Sequence, residues 1–232
     1  MSNPFVVDVS PGSSPLISDS LQQWAIACYR SRIFAQEDII PTRPGLLYFV
    51  TQGFIRLESR LQPPASIEST PAIHPVTLSF IGADQPLDLC SDQQVSFQAI
   101  AHVDHTEVFW LYWQDLTRWP TLKIDVLQAL RQQYQHQLLT QSILSQRKTL
   151  DRLWLYLTML GRTYGEASAS GLKLPFALTQ NQLAALLGIT PVTVHRLLKQ
   201  LIQMGQIRSI GKDVWEIMVR HPPGDRLAFG AH

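Results

Sequence analysis

Short runs of apolar residues separated by turn-forming residues dominate the first half of the chain. Residues 46–50 form one β-rich run, Gly53 interrupts it, and residues 54–58 alternate between apolar and polar side chains. This pattern predicts a hairpin-like pair of strands. Further runs lie at 76–81, 95–101 and 106–111. Strands at such short intervals indicate a β-sandwich or β-roll over residues 21–118.

A different period begins at Pro120, a residue that suits the first turn of a helix. Apolar side chains then recur every four residues, and neither Gly nor Pro interrupts residues 121–160. So long a pattern is typical of a helix that packs along another helix, so we predict a dimerisation helix over 119–148. The alternative is a helix that lies on its own β-domain. The predicted contact residues are Leu122, Val126, Leu127, Leu130, Tyr134 and Leu138.

The segment 149–221 predicts short helices followed by a small hairpin. Residues 150–160 carry a core-facing apolar stripe, and residues 161–171 read as a loop. Thr179, with Gln182 three residues later, predicts a capping box at the start of the next helix. Gly188 permits the positive φ that ends this helix.

A second helix is predicted to follow at once, with Thr190 as its cap and Pro191 as its first residue. Two short helices joined by a Gly-containing turn form a helix-turn-helix, whose second helix enters the DNA major groove. The alternative is an ordinary pair of helices in a helical domain. The side chains predicted to bury the second helix are Val194, Leu197, Leu198 and Leu201.

The opposite face of the second helix carries hydroxyl, imidazole, guanidinium and ammonium groups, which are the donors that base edges and phosphates require. Residues 207–210 and 214–217 then predict a two-stranded wing, with Lys212 near its tip to touch phosphate. The combination favours DNA binding. The predicted DNA-binding residues are Thr179, Gln180, Asn181, Thr190, Pro191, Val192, Thr193, His195, Arg196, Lys199 and Lys212.

Composition and charge narrow the class of protein. The 232 residues have a formal net charge of +1, but residues 1–115 sum to −7 and residues 116–232 to +8, which hints at a nucleic-acid partner for the basic half. Two cysteines suffice for neither a disulfide framework nor a four-thiolate cluster. No apolar run reaches the length of a membrane span and no secretory signal is present, so a cytoplasmic protein is expected.

No motif in the sequence predicts catalysis, so we expect a protein that is not an enzyme and needs no cofactor. Residues 1–20, rich in Ser, Pro and Gly, are predicted to be a flexible N-terminal tail. Residues 222–232 are predicted to be a C-terminal tail.

The segment from Leu178 to Lys212, LTQNQLAALLGITPVTVHRLLKQLIQMGQIRSIGK, resembles the helix-turn-helix and wing of the Crp/Fnr transcription regulators. The string LLYFVTQGFIRLE is similar to the glycine-containing hairpin of that family's β-roll. The resemblance covers about residues 21–220. It implies an α+β chain with an N-terminal antiparallel, cyclic-nucleotide-binding-like β-roll, a long dimerisation helix and a C-terminal winged helix-turn-helix. It also implies a homodimer, an inverted-repeat DNA target and RNA polymerase as a partner.

The recognition helix departs from the family pattern, Ser/Thr-Arg-Glu-Thr-Val-x-Arg. Thr193 and Arg196 match it, whereas Pro191 and Val192 stand where the base-reading Arg and Glu are usual. Arg196 and His195 therefore become the expected base readers, and Val192 is suited to a thymine methyl group. The string VTVHRLL is similar to the nitrogen-control branch of cyanobacterial members.

The predicted sensor domain departs further from members that bind cyclic AMP. No Arg or Lys lies between residues 61 and 117, while Asp84, Asp88 and Asp92 make the region acidic. Such a pocket would repel a cyclic phosphate, so we expect no response to cyclic AMP. Two small-molecule alternatives stay open: haem and 2-oxoglutarate. Haem would use Cys90 and the β-domain histidines His74, His102 and His105, and 2-oxoglutarate would use Arg118 and Arg131 as weak candidates.

These patterns predict a sequence-specific DNA-binding transcriptional regulator. One alternative is a small-molecule sensor whose DNA domain only relays a signal. The other is a degenerate member that acts through protein contacts, with weak DNA binding.

Overall fold

The computed structural model describes residues 19–28, 30–61, 75–89 and 95–218. The chain divides into two compact units: residues 1–58 with 79–133, and residues 59–78 with 134–232. The predicted N-terminal tail, apart from its last two residues, and the predicted C-terminal tail lie outside the described residues, as do His74, Cys90 and Asp92. No helix in the described ranges is both long and apolar enough to cross a membrane.

Two four-stranded sheets build the N-terminal half, as the alternating pattern predicts. One has the strand order β1-β8-β3-β6 with antiparallel pairing, and the other has the order β2-β7-β4-β5. The elements are α1 (Asp19–Ala27), β1 (Ser31–Phe34), β2 (Ile39–Ile40), β3 (Leu46–Gln52), β4 (Ile55–Leu61), β5 (Val76–Ile81), β6 (Pro86–Leu87), β7 (Val95–Ala101), β8 (Thr106–Tyr112) and a 3₁₀ helix (Trp113–Arg118).

The predicted hairpin between β3 and β4 is wrong. Both strands exist, but β3 pairs with β8 and β6, whereas β4 belongs to the other sheet. Gly53 joins them at φ +84°, and a Cβ there would stand 2.7 Å from Thr106 Oγ1. This turn sends the chain from one sheet to the other, which a local alternating pattern does not reveal.

Helix α1, which was not predicted from the sequence, packs against this core. Leu21 and Ala25 of α1 pack with Leu47, Phe49 and other buried side chains of the first sheet. The rings of Phe49 and Phe109 stack with centroids 4.9 Å apart. Glutamines interrupt the apolar residues of α1, and burial against the sheet explains why this short segment is helical.

Helix α2 (Pro120–Leu144) begins at the predicted proline. Its first turns correct the predicted dimerisation stripe, because Leu122 and Val126 are buried in the core of their own β-domain and Leu130 packs partly against it. The alternative interpretation, a helix on its own β-domain, therefore holds for these three residues. Leu127, Tyr134 and Leu138 are exposed.

The C-terminal elements form a helical group with a small antiparallel sheet. Helix α3 extends to Tyr164, so the predicted loop 161–171 is wrong at its start, and its remainder contributes two short strands. The sheet has the order β11-β12-β10-β9. The elements are α3 (Thr149–Tyr164), β9 (Glu166–Ala167), β10 (Leu172–Lys173), α4 (Gln180–Leu187), α5 (Pro191–Gln203), β11 (Ile207–Gly211) and β12 (Val214–Ile217).

Candidate nucleic-acid interface

Helix α4 begins and ends where the sequence predicts. Thr179 Oγ1 accepts the N–H of Gln182 at 3.2 Å, and Gln182 Oε1 accepts the N–H of Thr179 at 2.9 Å. This reciprocal pair is the predicted capping box. The helix ends at Gly188, which adopts φ +64°. Gln180 and Asn181 occupy the exposed or half-buried first turn.

Helix α5 follows after a three-residue connection, residues 188–190. Thr190 Oγ1 accepts the N–H of Thr193 at 3.2 Å, and Pro191 is the first helical residue, both as predicted. The four leucine and valine side chains predicted to bury this helix are all buried: Val194, Leu197, Leu198 and Leu201. Two capped helices joined by a left-handed glycine form the helix-turn-helix.

The opposite face of α5 is open to solvent. Val192 is 79% exposed. His195, Arg196 and Lys199 are exposed, and Thr193 is half-buried. In the described part of the chain, no hydrogen bond or ion pair occupies the His195, Arg196 or Lys199 side chains. These donors are therefore available to an external partner.

The predicted wing is the hairpin of β11 and β12. Lys212 is exposed at the turn, and Asp213 beside it adopts φ +57°. The turn is bonded to the residue before the α4 cap, because the Leu178 N–H donates to the Asp213 carbonyl at 2.7 Å. Trp215 Nε1 donates to the Leu178 carbonyl at 3.1 Å.

A buried carboxylate that was not predicted from the sequence lies at the base of the wing. Glu216 is 2% exposed and accepts hydrogen bonds from the hydroxyls of Ser168 and Ser170 and from the Arg208 guanidinium. These bonds, the one from Ser168 first, hold the pKa of Glu216 below its ordinary value although burial opposes the shift. The network joins β12 to the turn between β9 and β10.

The candidate dimer contacts do not share one environment. The exposed members Leu127, Tyr134 and Leu138 lie on one side of α2 together with Ile124 and Arg131, at alternating spacings of three and four residues. Such spacing is typical of a coiled-coil seam. The prediction took every fourth residue, but a helix has 3.6 residues per turn. Positions four apart therefore do not stay on one side of α2: Leu122 and Val126 are buried, whereas Tyr134 and Leu138 are exposed.

The two candidate effector contacts, Arg118 and Arg131, are exposed. A buried arginine of the β-domain, Arg56, was overlooked. Its terminal nitrogens donate to both carboxylate oxygens of Glu37, at 2.9 and 2.8 Å, and its Nε donates to Glu58 at 2.8 Å. The hydrogen bond to Glu37 is the main cause of the raised pKa of Arg56. The alternation of Arg56 and Glu58 on one face of β4 was the available sequence signal.

The candidate haem ligands within the described ranges lie in different surroundings. His102 is buried, and its Nδ1 is 3.3 Å from an Arg56 nitrogen. His105 is exposed, with Nδ1 2.9 Å from a carboxylate oxygen of Asp104. Over the described part of the chain, no three His, Cys, Asp or Glu side chains are grouped closely enough to hold a metal ion.

Comparisons with known proteins identify the C-terminal segment and the fold. A family model, the Crp-like helix-turn-helix domain, matches residues 151–224. No curated protein matches the chain significantly.

Solved structures match across both halves of the chain. A cyclic nucleotide-binding domain containing protein from Listeria monocytogenes EGD-e is 12% identical, with a TM-score of 0.66 over 86% of this chain and 96% of that one. FixK2 from Bradyrhizobium japonicum is 19% identical, with a TM-score of 0.61 over 82% and 92%. A CRP/FNR-family transcriptional regulator from Thermus thermophilus is 21% identical, with a TM-score of 0.57 over 82% and 93%.

These likenesses confirm the predicted α+β fold class, with antiparallel β-sheets before a C-terminal helix-turn-helix. They leave the cyanobacterial nitrogen-control branch a prediction. The chain therefore carries a Crp-like helix-turn-helix DNA-binding domain at residues 151–224 and has the fold of the Crp/Fnr transcriptional regulators.

Proposed function

We propose that this chain is a sequence-specific DNA-binding transcriptional regulator that acts as a homodimer on an inverted repeat. The observation that carries the proposal is the solvent face of α5, where three side-chain donors have no partner in the described part of the chain. A helix of this kind enters the major groove, where side chains meet base edges. The family resemblance adds RNA polymerase as a second partner.

Arg196 and His195 are the proposed base readers, and Val192 the proposed contact to a thymine methyl group. Arg presents a bidentate pattern to the acceptors of guanine, and an exposed branched alkyl group packs on the methyl of thymine. The proposed phosphate contacts are Lys199, Lys212, Thr193, the cap residue Thr179, and Gln180 and Asn181 in the first turn of α4. Pro191 has no N–H to offer, so its proposed role is to start the helix.

The homodimer rests on the exposed side of α2. Its apolar members at coiled-coil spacing suit a second copy of the same helix. A dimer would set two α5 helices in successive major grooves, about 34–36 Å apart, and the target would be an inverted repeat.

Independence from cyclic AMP rests on charge. The described β-domain residues beyond Arg60 carry no Lys or Arg before Arg118, and Arg56 already contacts two carboxylates. A cyclic phosphate would therefore meet a neutral or acidic surface. Addition of cyclic AMP should leave the DNA affinity unchanged.

The test is selection from random duplex DNA with the purified protein, without added ligand, near physiological salt. A two-fold symmetric motif is expected. Arg196→Ala should lose about 1–3 kcal/mol on that motif and relax the preference at one position per half-site. Lys212→Ala should weaken binding to all sequences alike.

Lys123→Ala is the matched control for Lys212→Ala, since it removes the same charge from an exposed position on α2. It should leave DNA affinity unchanged. An equal loss on all sequences for Arg196→Ala would contradict base reading. A selection without any enriched motif would favour the alternative of weak or degenerate DNA binding.

A further inference from the structure

The backbone of Leu178 joins the wing to the helix-turn-helix. Leu178 is 1% exposed, and both its N–H and its carbonyl are bonded to the wing, to Asp213 and Trp215 respectively. The next residue is Thr179, which caps α4. Asp213 is in turn the neighbour of Lys212. The residues beside two proposed phosphate contacts are therefore bonded to each other directly.

Trp215 supplies the side-chain part of this connection. It is 6% exposed, and its only side-chain donor, Nε1–H, is used on the Leu178 carbonyl. Its own backbone carbonyl accepts the N–H of Leu174 at 2.9 Å. Three hydrogen bonds thus hold residues 174–178 along β12 and its turn. Without the indole N–H, a buried carbonyl would lose this partner.

We propose that Trp215 is a positioning residue for DNA binding, because its indole N–H locks the wing turn to the start of the helix-turn-helix. Lys212 and the first turn of α4, with Thr179, Gln180 and Asn181, then meet the DNA backbone as one rigid unit. Phosphate contacts fix the register of a protein on the duplex, and a prearranged pair loses less entropy on binding. This inference rests on the phosphate contacts of the proposed function.

The variant that isolates the N–H is Trp215→benzothienylalanine, whose ring keeps the size of indole and lacks only the donor. Trp215→Phe removes the donor together with part of the buried ring and serves as the genetically encoded counterpart. Affinity for the selected duplex and for an unrelated duplex should fall by the same factor, about twofold to tenfold. The slope of log affinity against log salt concentration should become shallower by up to about one for each wing, because Lys212 would lose its contact with a phosphate. The preferred sequence should not change.

Trp154→Phe is the matched control, because Trp154 is half-buried on α3 in the same unit and far from the wing in sequence. It should leave the salt slope unchanged. A variant that merely unfolds in part would lower the active concentration, detected by titration at saturating DNA, and would keep the wild-type slope.

A double-mutant cycle with Lys212→Ala decides between positioning and plain stability. If Trp215 acts through the wing, the losses are not additive, and Trp215→Phe has little further effect in the Lys212→Ala background. If Trp215→Phe lowers the affinity as much in the Lys212→Ala background as in the wild type, and leaves the salt slope unchanged, the positioning role of Trp215 is wrong. The proposed phosphate contact of Lys212 would then still stand. If Lys212→Ala itself leaves affinity and slope unchanged, the proposed wing contact falls, and the positioning role falls with it.

Discussion

Two glycines with positive φ differ in what surrounds them. At Gly188, with φ +64°, an added Cβ meets nothing within 4 Å, so only the left-handed backbone conformation opposes a side chain. At Gly53, with φ +84°, the same Cβ would approach both Oγ1 and Cα of Thr106. The helix-turn-helix therefore needs glycine for its backbone angles alone, whereas the turn between the sheets needs it also for space.

We expect Gly188→Ala to destabilise the C-terminal unit by about 1–2 kcal/mol, because an alanine in the left-handed region meets this strain. Gly188→Asn should lose less, since asparagine is the next residue most often found there. Urea unfolding followed by circular dichroism measures both. Gly53→Ala should be more damaging than Gly188→Ala, and a reversal of that order would contradict the role assigned to the contact with Thr106.

At the scale of elements, the wing sheet is held by a charged network that the local pattern does not show. Arg208 and Lys173 lie opposite Glu216 on the two neighbouring strands. In the turn before β10, the hydroxyls of Ser168 and Ser170 donate hydrogen bonds to the Glu216 carboxylate. The hydrogen bonds from these serines and from Arg208 favour the ionised form of Glu216. Because the pKa of Glu216 is lowered by folding, this unit should lose stability when the pH becomes acidic.

The sign of that dependence follows from the shift. A carboxylate whose pKa is lowered by folding stabilises the protein above its unfolded value, near 4.5, and this stabilisation is lost as pH falls through the folded value. At pH 7 the Glu216→Gln variant should therefore unfold at a lower temperature than the wild type. Its unfolding temperature should change less than that of the wild type as the pH falls below 4.5. Thermal unfolding across that range measures it. Glu166→Gln, an exposed carboxylate on β9, should keep the wild-type pH dependence. Equal profiles for wild type and Glu216→Gln would refute the network.

At the scale of the whole molecule, the two sides of α2 lie in different surroundings. Val126 is fully buried in the β-domain core, whereas Leu127, one residue later, is about half exposed. A homodimer that uses the exposed side leaves the core of each protomer intact. Association and folding should therefore respond to different substitutions on one helix.

Leu127→Asp should convert the dimer to a monomer at micromolar concentration without lowering the unfolding temperature, because it sets a charge in the proposed seam and none in the core. Sedimentation measures the mass. Gln132→Asp adds the same charge on another side of α2 and should leave the dimer intact. Val126→Asp should instead unfold the β-domain. A dimer that persists in Leu127→Asp would rule out the seam.

Most of the DNA-binding domain was predictable because its signals are local. Each cap and the left-handed glycine depend on residues within four positions of one another, and successive members of the buried stripe of α5 lie at most three positions apart. All are present in the structure. The β-domain was predictable as strands but not as pairings, since β3 pairs with β8, which lies far along the chain. Helix α1 and the short strands β9 and β10 were missed, because packing rather than periodicity stabilises them.

The sequence by itself determined the order of the main elements, the helix-turn-helix with its polar outer face and the lack of any Lys or Arg over residues 61–117, because composition and short-range spacing express these directly. Only the tertiary structure decided which sheet each strand joins and which side of α2 is buried. It also revealed the hydrogen bonds of Leu178, Trp215 and Glu216 that tie the wing to its neighbours. Those features depend on contacts between residues tens of positions apart, and no local pattern carries that information.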